Sequence, residues 1–505
     1  MTYKYTIMNT LPPELHGHVA SFIRHPPDLA RLCLVSSYWT SIVRPFLYHT
    51  LILRNDTRYL KDTLDLLARN YELTKAIQSF AIITRGGYSN VFHGHERAVP
   101  VPGGWIKLSD LAGLDNLRRF KIDGIPSMSA GQFQQIFADL FRMAKNLEEV
   151  ECIDTTSTTD QWLSLAIRKG DFYSFSDVPS YIKKVTYTAG YPIDVHRVLS
   201  TTFTHPYSSI TELVVSAWQI DAWINVSRAK GLASLRFPKL NTLRLVGGGT
   251  LVIPSSTSPF LDFLAMHPLV RTLSIPNSEI LLDGEIQRKD ILLQLSSISI
   301  RASRVASASY IFCELPSVSY LELRNVSAIL ESCISLRAFC DFQGGFSKLK
   351  RCVIDSASSK VMNKILQYLK GALELEWLTM HTKSSTDADF MRLVHSLSRF
   401  PKLARVDFLK SGVGGELLQH AAEQIKSLQK VVLFDAHRMR LEVTAAYSVY
   451  MLPTESGEPV LKQTYVLPPG PPYLQDRRVI RPEILDWREN TRLDGWSDCV
   501  HTPLS

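Results

Sequence analysis

The chain of 505 residues has little cysteine, no long apolar run and no block of like charge. Its seven cysteines (Cys33, Cys152, Cys313, Cys333, Cys340, Cys352 and Cys499) are odd in number and nowhere spaced as CxxC. That argues against a disulfide framework or a zinc site, and Cys33 and Cys352 sit in apolar runs where a thiol behaves as a small hydrophobe. No stretch reaches the roughly 20 apolar residues of a membrane span. The opening MTYKYTIMNT lacks the charged start and apolar centre of a secretory signal. The expectation is a reduced, intracellular protein, cytoplasmic or nuclear.

Formal charge is +8, yet the 56 Lys and Arg are scattered, with no run of five or more. A nucleic-acid surface would gather them on one face among aromatics, so no nucleic-acid partner is expected. GxSxG, HExxH and P-loop patterns are absent. Gly412, Gly414 and Gly415 stand where a dinucleotide-binding loop would, but Leu417 holds the place of its last glycine. His93 and His95 have no third ligand at a sensible spacing. The chain is therefore read as a non-enzyme with no catalytic residue, no metal and no cofactor.

What is present begins with LPPELHGHVASFIRHPPDLARLCLVSSYWTSIVRPFLY, residues 11–48. Leu15, Val19 and Phe22 or Ile23 form one helical stripe. Leu29, Leu32 and Val35 form a second, continued by Trp39, Ile42 and Val43. Pro12-Pro13 opens the first helix, and Asp28 after Pro26-Pro27 is expected to N-cap the next. Three helices this short bury little area alone and must pack on something else.

The order of these residues resembles the F-box: Leu11, Pro12 and Glu14, then aliphatics at helical spacing, then Pro27-Asp28-Leu29, then Leu32, Leu34, Val35, Ser36 and Trp39. The resemblance implies docking onto the Skp-type adaptor of a cullin–RING ubiquitin ligase. Leu11, Pro12, Glu14, Leu15, Val19, Phe22, Leu29, Leu32, Val35 and Trp39 would be the adaptor-binding set, some of them internal to the module.

Beyond it, a strand is expected over 47–53, a single helix over 58–75, and a strand over 79–85. One pattern then recurs: apolar, two residues, apolar, one residue, apolar. Its first positions are Ile77, Leu117, Leu147, Ile182, Ile210, Leu240, Val270, Leu295, Val318, Leu349, Leu375, Leu403 and Leu428. From Leu117 onward, subtraction gives steps of 23 to 35 residues, a solenoid signal. Amphipathic helices lie between several copies: Phe133, Ile136, Phe137, Leu140 and Phe141 share a face, as do Val361, Ile365, Leu366 and Leu369, and Phe390, Leu393, Val394 and Leu397.

This resembles the leucine-rich repeat family over roughly 77–435, and F-box plus degenerate repeats resembles a substrate receptor of the fungal type. The fold class expected is α/β, a three-helix F-box followed by a curved solenoid with a parallel sheet. The family's asparagine, three places past the last apolar residue, is missing, with Ile125, Gly248 and Val326 in its place. The ladder that ties neighbouring turns is thus expected to be absent.

Residues 247–259 and 283–290 read as loops. Residues 440–452 and 459–468 read as a β-hairpin covering the last repeat, since an uncovered end would leave an unpaired edge. Pro-rich 468–472 leads to a tail that Trp487 and Trp496 mark as docking. The domains expected are 8–50, 51–437 and 438–505.

In a strand reading LxxLxL, the residues two, four and six places after the first apolar position face away from the core. Early copies place Arg119, Lys121, Asp123, Glu149, Glu151, Lys184 and Thr186 there, and later ones Tyr320, Glu322, Arg324, Arg351, Trp377, His381, Arg405 and Asp407, ending with Val432 and Phe434. Aromatics and arginines are common interface anchors, so Tyr320, Arg324, Arg351, Trp377, His381, Arg405 and Asp407 are expected to bind a client protein. The sequence leaves open a non-catalytic repeat scaffold acting apart from ubiquitin ligation.

Overall fold

The computed structural model describes residues 12–23, 26–54, 60–83, 108, 111, 113–123, 130–154, 178–189, 209–219, 236–248, 250–254, 259–275, 279–283, 292–301, 317–324, 346–357, 359–382, 387–409, 420–421, 423–437, 442–452 and 460–465. Leu11, the His93/His95 pair, the 412–415 glycines and the tail with Trp487 and Trp496 lie outside them. The chain divides into two compact units, one holding residues 1–191 and 198–210, the other 192–197 and 211–505.

The first unit opens with helices α1 (Pro13–Phe22), α2 (Pro26–Cys33) and α3 (Ser37–Leu47). Pro13 starts α1 because its missing N–H is unneeded there. Helix α2 begins at Pro26, so Asp28 sits in its first turn, paired with Arg31 at 3.1 Å, and is not the N-cap. Ser36 caps α3 by accepting from the Trp39 N–H at 3.2 Å. Helix α3 runs through Pro45 to Leu47, so the strand expected from 47 starts later, at β1 (Thr50–Arg54). Helices α4 (Leu60–Arg69) and α5 (Tyr71–Ala76) replace the single helix expected over 58–75. Asn70 makes the break, its side chain accepting from the Leu73 N–H to cap α5. Gly113, at φ +92°, turns the chain where a Cβ would fall 2.7 Å from the Tyr71 ring.

Strands β1, β2 (Ser79–Ile83), β3 (Arg119–Asp123), β4 (Glu149–Asp154) and β5 (Lys184–Ala189) form a parallel sheet in chain order, with helix α6 (Ala130–Met143) between β3 and β4. Register follows the sequence pattern: Phe80, Phe120, Val150 and Val185 are paired in one row.

In the second unit the parallel order is β6 (Glu212–Gln219), β7 (Thr242–Gly248), β9 (Thr272–Ile275), β11 (Ser297–Arg301), β12 (Tyr320–Arg324), β13 (Arg351–Ala357), β14 (Trp377–Thr382), β15 (Arg405–Leu409) and β16 (Lys430–His437). The stretch expected as a loop over 247–259 instead forms β8 (Thr250–Pro254), which pairs with β10 (Glu279–Asp283) beside the main sheet, and then α7 (Pro259–Ala265). The Gly247–Gly249 run hid the β-branched, apolar TLVIP that follows it. Helices α8 (Ser359–Tyr368) and α9 (Asp387–Leu397) fall where the sequence placed them. Strands β17 (Glu442–Leu452) and β18 (Val460–Tyr465) add antiparallel to β16, giving the expected hairpin on the last repeat.

All thirteen first apolar positions are buried. Several of them also belong to a longer motif than the sequence displayed. The Leu117 N–H returns to Leu114, Leu240 to Phe237, Val270 to His267, Leu349 to Phe346 and Leu403 to Phe400, and the residue three places upstream is buried as well. Side chains flanking the first apolar position tie neighbouring repeats together. Asn116 donates to the Lys75 carbonyl at 2.9 Å, Asn146 to Asp115 at 2.7 Å, Ser296 to Arg271 at 3.2 Å, Ser319 to Ser296 at 3.3 Å and Ser427 to Leu403 at 2.9 Å. These bonds link the turn carbonyl of one repeat to a side chain of the next.

Candidate functional site

The helices α1–α3 contain their own small core. Ala20, Leu29, Trp39 and Val43 are buried, with Ile23, Leu32, Cys33, Ile42, Phe46 and Leu47 packed around them. His16 is buried with its Nδ1 2.9 Å from the Tyr38 hydroxyl and its ring edge-on to Trp39. Of the residues expected to bind an adaptor, Leu29 and Trp39 are therefore internal, and Leu32 is half-buried.

The others face outward. Phe22 is 70% exposed and Val35 64%, while Leu15 and Val19 are also exposed, as are Pro12 and Glu14. Leu15, Val19 and Phe22 follow one another at four- and three-residue steps, so they line one face of α1. Leu34, 87% exposed after α2, belongs to the same class although the sequence reading left it out of the site. Large aliphatic and aromatic groups are thus left in water both on one face of α1 and in the segment after α2.

This module continues into the sheet without a linker. Only Tyr48 and His49 separate α3 from β1, and the His49 Nε2–H donates to Gln78 Oε1 at 3.0 Å. Burial, the largest influence, and the nearby Arg119 and Arg118 charges lower the His49 pKa against the bond to Gln78.

The second site is the open face of the later repeats. Tyr320, Arg351, Trp377 and Arg405 are paired residue to residue on β12–β15. The Arg351 guanidinium lies 3.5 Å from the Trp377 ring centre and 5.5 Å from that of Tyr320, and Arg405 covers Trp377 from the other side at 3.8 Å. The Trp377 indole N–H donates to Asp407 at 2.7 Å, Thr379 donates to the same oxygen at 3.2 Å, and Arg405 reaches the carboxylate through Nε at 2.8 Å. Asp407, 3% exposed, thus sits beneath the row and holds it. It is a positioning residue, not the client contact the sequence suggested. Trp377 is likewise covered on both faces, so what this row turns outward is guanidinium edges and the Tyr320 ring. Arg324 and His381 belong to β12 and β14, but their side chains lie outside the described residues.

Sequence reasoning missed a third place. A cavity of about 480 Å3 in the first unit is lined by Gln78, Arg118, Lys145, Asn146, Glu148 and Lys183 among others. Four of these stand one place after a first apolar position, a column the sequence shows plainly once it is aligned on that position. Among the described residues no group of three or more His, Cys, Asp or Glu could hold a metal, and no helix is long and apolar enough to cross a membrane.

Residues 8–54 match the F-box-like family, so the chain carries an F-box-like domain followed by repeats. No curated protein matches the chain. Among solved structures, a protein from Bacteroides fragilis is similar at 15% identity and a TM-score of 0.34, over 47% of this chain and 71% of that one. The TLR13–ssRNA13 complex is similar at 12% identity and a TM-score of 0.26, over 65% of this chain and 57% of that one.

Proposed function

We propose that the protein is the substrate-recognition subunit of an SCF-type cullin–RING ubiquitin ligase. A Skp-type adaptor seats on the F-box-like helices, and a client protein is held by the repeats. The observation that carries this reading is the exposure of Leu15, Val19, Phe22, Leu34 and Val35 on a module whose own core is already filled by Leu29, Trp39 and Val43. Much of their apolar surface stays in water where they stand, and burying it against a partner recovers its transfer free energy. The short joint at Tyr48–His49 supports the rest, because it carries adaptor position directly into the first repeat. In this role the chain performs no chemistry and works in the cytoplasm or nucleus. The fungal-type kinship rests on the sequence resemblance.

The test is capture of a Skp-type adaptor by the full chain. Phe22→Ala combined with Val35→Ala is expected to weaken capture by about 2 kcal/mol or more, as truncated interface anchors do, with the melting temperature unchanged. Trp39→Ala should instead unfold the helices. Wild-type capture by the Phe22/Val35 variant overturns the reading. Adaptor capture without any co-purifying cullin would favour the scaffold role.

A further inference from the structure

The cavity in the first unit has chemistry of its own, separate from adaptor and client. Gln78, Arg118, Glu148 and Lys183 form one wall of it although each is separated from the next by 30 to 40 residues. In-register parallel strands bring such a column together at roughly 4.8 Å per strand. Lys145 joins them from the turn after α6.

Three cations and one carboxylate leave an excess of two positive charges. Glu148 is engaged with Lys183 at 2.8 Å. Among the described residues neither Arg118 nor Lys145 has a carboxylate partner; Lys145 makes only a 3.4 Å bond to the Phe141 carbonyl. Because Gln78 Oε1 accepts from His49, its amide N–H groups are the donors left to the cavity side. The frame is held in place: Asn146 donates to Asp115 and Tyr181 to the Phe141 carbonyl at 2.9 Å. Leu147 is the sole aliphatic side chain in the lining, which disfavours an apolar ligand, and the charge disfavours a cation.

We propose that this cavity binds a phosphate-class oxyanion, with Arg118 and Lys145 as its main ligands and Lys183 shared with Glu148. A guanidinium fork beside an ammonium group and an amide donor suits a compact dianion with three or four acceptor oxygens. The ligand's charge supplies the countercharge that Arg118 and Lys145 lack among the described residues, and Glu148 competes with it for Lys183. The site adjoins His49 through Gln78, so an occupied cavity stiffens the joint between helix α3 and strand β1.

Calorimetric titration of the full chain with inorganic phosphate, and with a short phosphoserine peptide beside its unphosphorylated form, tests this. Arg118→Gln and Lys145→Gln should each weaken phosphate binding roughly tenfold, the effect of one charge-assisted hydrogen bond. Glu148→Gln should tighten it several-fold, a gain that misfolding cannot produce. The His49 ring resonances should shift on saturation. No phosphate binding by the wild type, or equal affinity in all three variants, overturns the proposal. A phosphopeptide that binds tighter than inorganic phosphate identifies a protein-borne group, and equal affinities identify a free one; either result requires the site.

Discussion

On the open face of the first unit, Arg119 and Lys121 of β3 meet Glu149 and Glu151 of β4 at 3.4 and 3.2 Å, one ion pair per row. On the second unit's face the same strand positions hold Tyr320, Arg351, Trp377 and Arg405, packed ring to guanidinium, over the buried Asp407. The backbone scaffold is the same in both. The first face cancels its charges in pairs that water still reaches, so each contributes little. The second withdraws one carboxylate from water and surrounds it with three donors, which makes that site rigid and costly to disturb. A rigid row of planar groups loses little freedom when a partner covers it, and that is why the second face is the better candidate for holding a client.

The comparison is broken most severely from behind the sheet. Leu321→Asp or Val406→Asp on the second unit, and Phe120→Asp on the first, put a carboxylate into the core, at positions 0–1% exposed. Each is expected to cost on the order of 4 kcal/mol or more and to unfold its own array. Circular dichroism and limited proteolysis report the loss, and wild-type melting of all three would disprove the register. Asp407→Asn comes next. It leaves Arg405 without its countercharge and should destabilise by about 2–3 kcal/mol. It should also weaken client capture while adaptor capture stays intact, and calorimetry with pull-down separates the two.

His267 marks a pH difference within the second unit. Its Nε2 accepts from the Phe237 N–H at 2.9 Å and its Nδ1–H donates to the Phe263 carbonyl, so the buried ring is held neutral. Burial, chiefly, and the Arg236 charge push its pKa below the ordinary 6.5, against the Phe263 bond. The unfolded chain therefore binds the proton first. Stability is full above pH 6.5 and falls as the pH drops below it. His267→Phe should flatten that slope in melts from pH 7.5 to about 5. A slope unchanged by the substitution would remove His267 as its source. The smallest effect belongs to the first face: Glu149→Gln should cost under about 1 kcal/mol, and that little should vanish in high salt. A larger or salt-insensitive loss would erase the contrast between the two faces.

Repeat spacing was legible because a buried strand demands apolar residues at every second place, and that demand is written locally. Leu117, Leu243 and Val406 could be assigned to the core without any knowledge of their neighbours. The motif's upstream position was harder to read because its occupants vary from Phe237 and Phe400 to Ala144, Ala372 and His267. No polarity rule flags a histidine there. Local composition also misled at Gly247–Gly249, where loop-like residues precede a real strand. At Asn70 a capping side chain split what hydrophobic spacing presented as one helix.

The sequence alone determined the α/β repeat class, the F-box-like helices, the strand register and the terminal hairpin, all of which depend on periodicity within a few tens of residues. Tertiary structure alone decided which F-box apolars are core and which face outward: Leu29 and Trp39 share helical stripes with residues that end up exposed, and only the packing of α3 across α1 and α2 tells them apart. It alone decided that Asp407 lies beneath Trp377 while Arg351 and Arg405 cover it. It alone drew Gln78, Arg118, Lys145 and Lys183 around one cavity. The reason is that periodicity fixes which residues share a row, but how their side chains pack, cover or pair with one another is set only when helices and strands are stacked at their tertiary spacing.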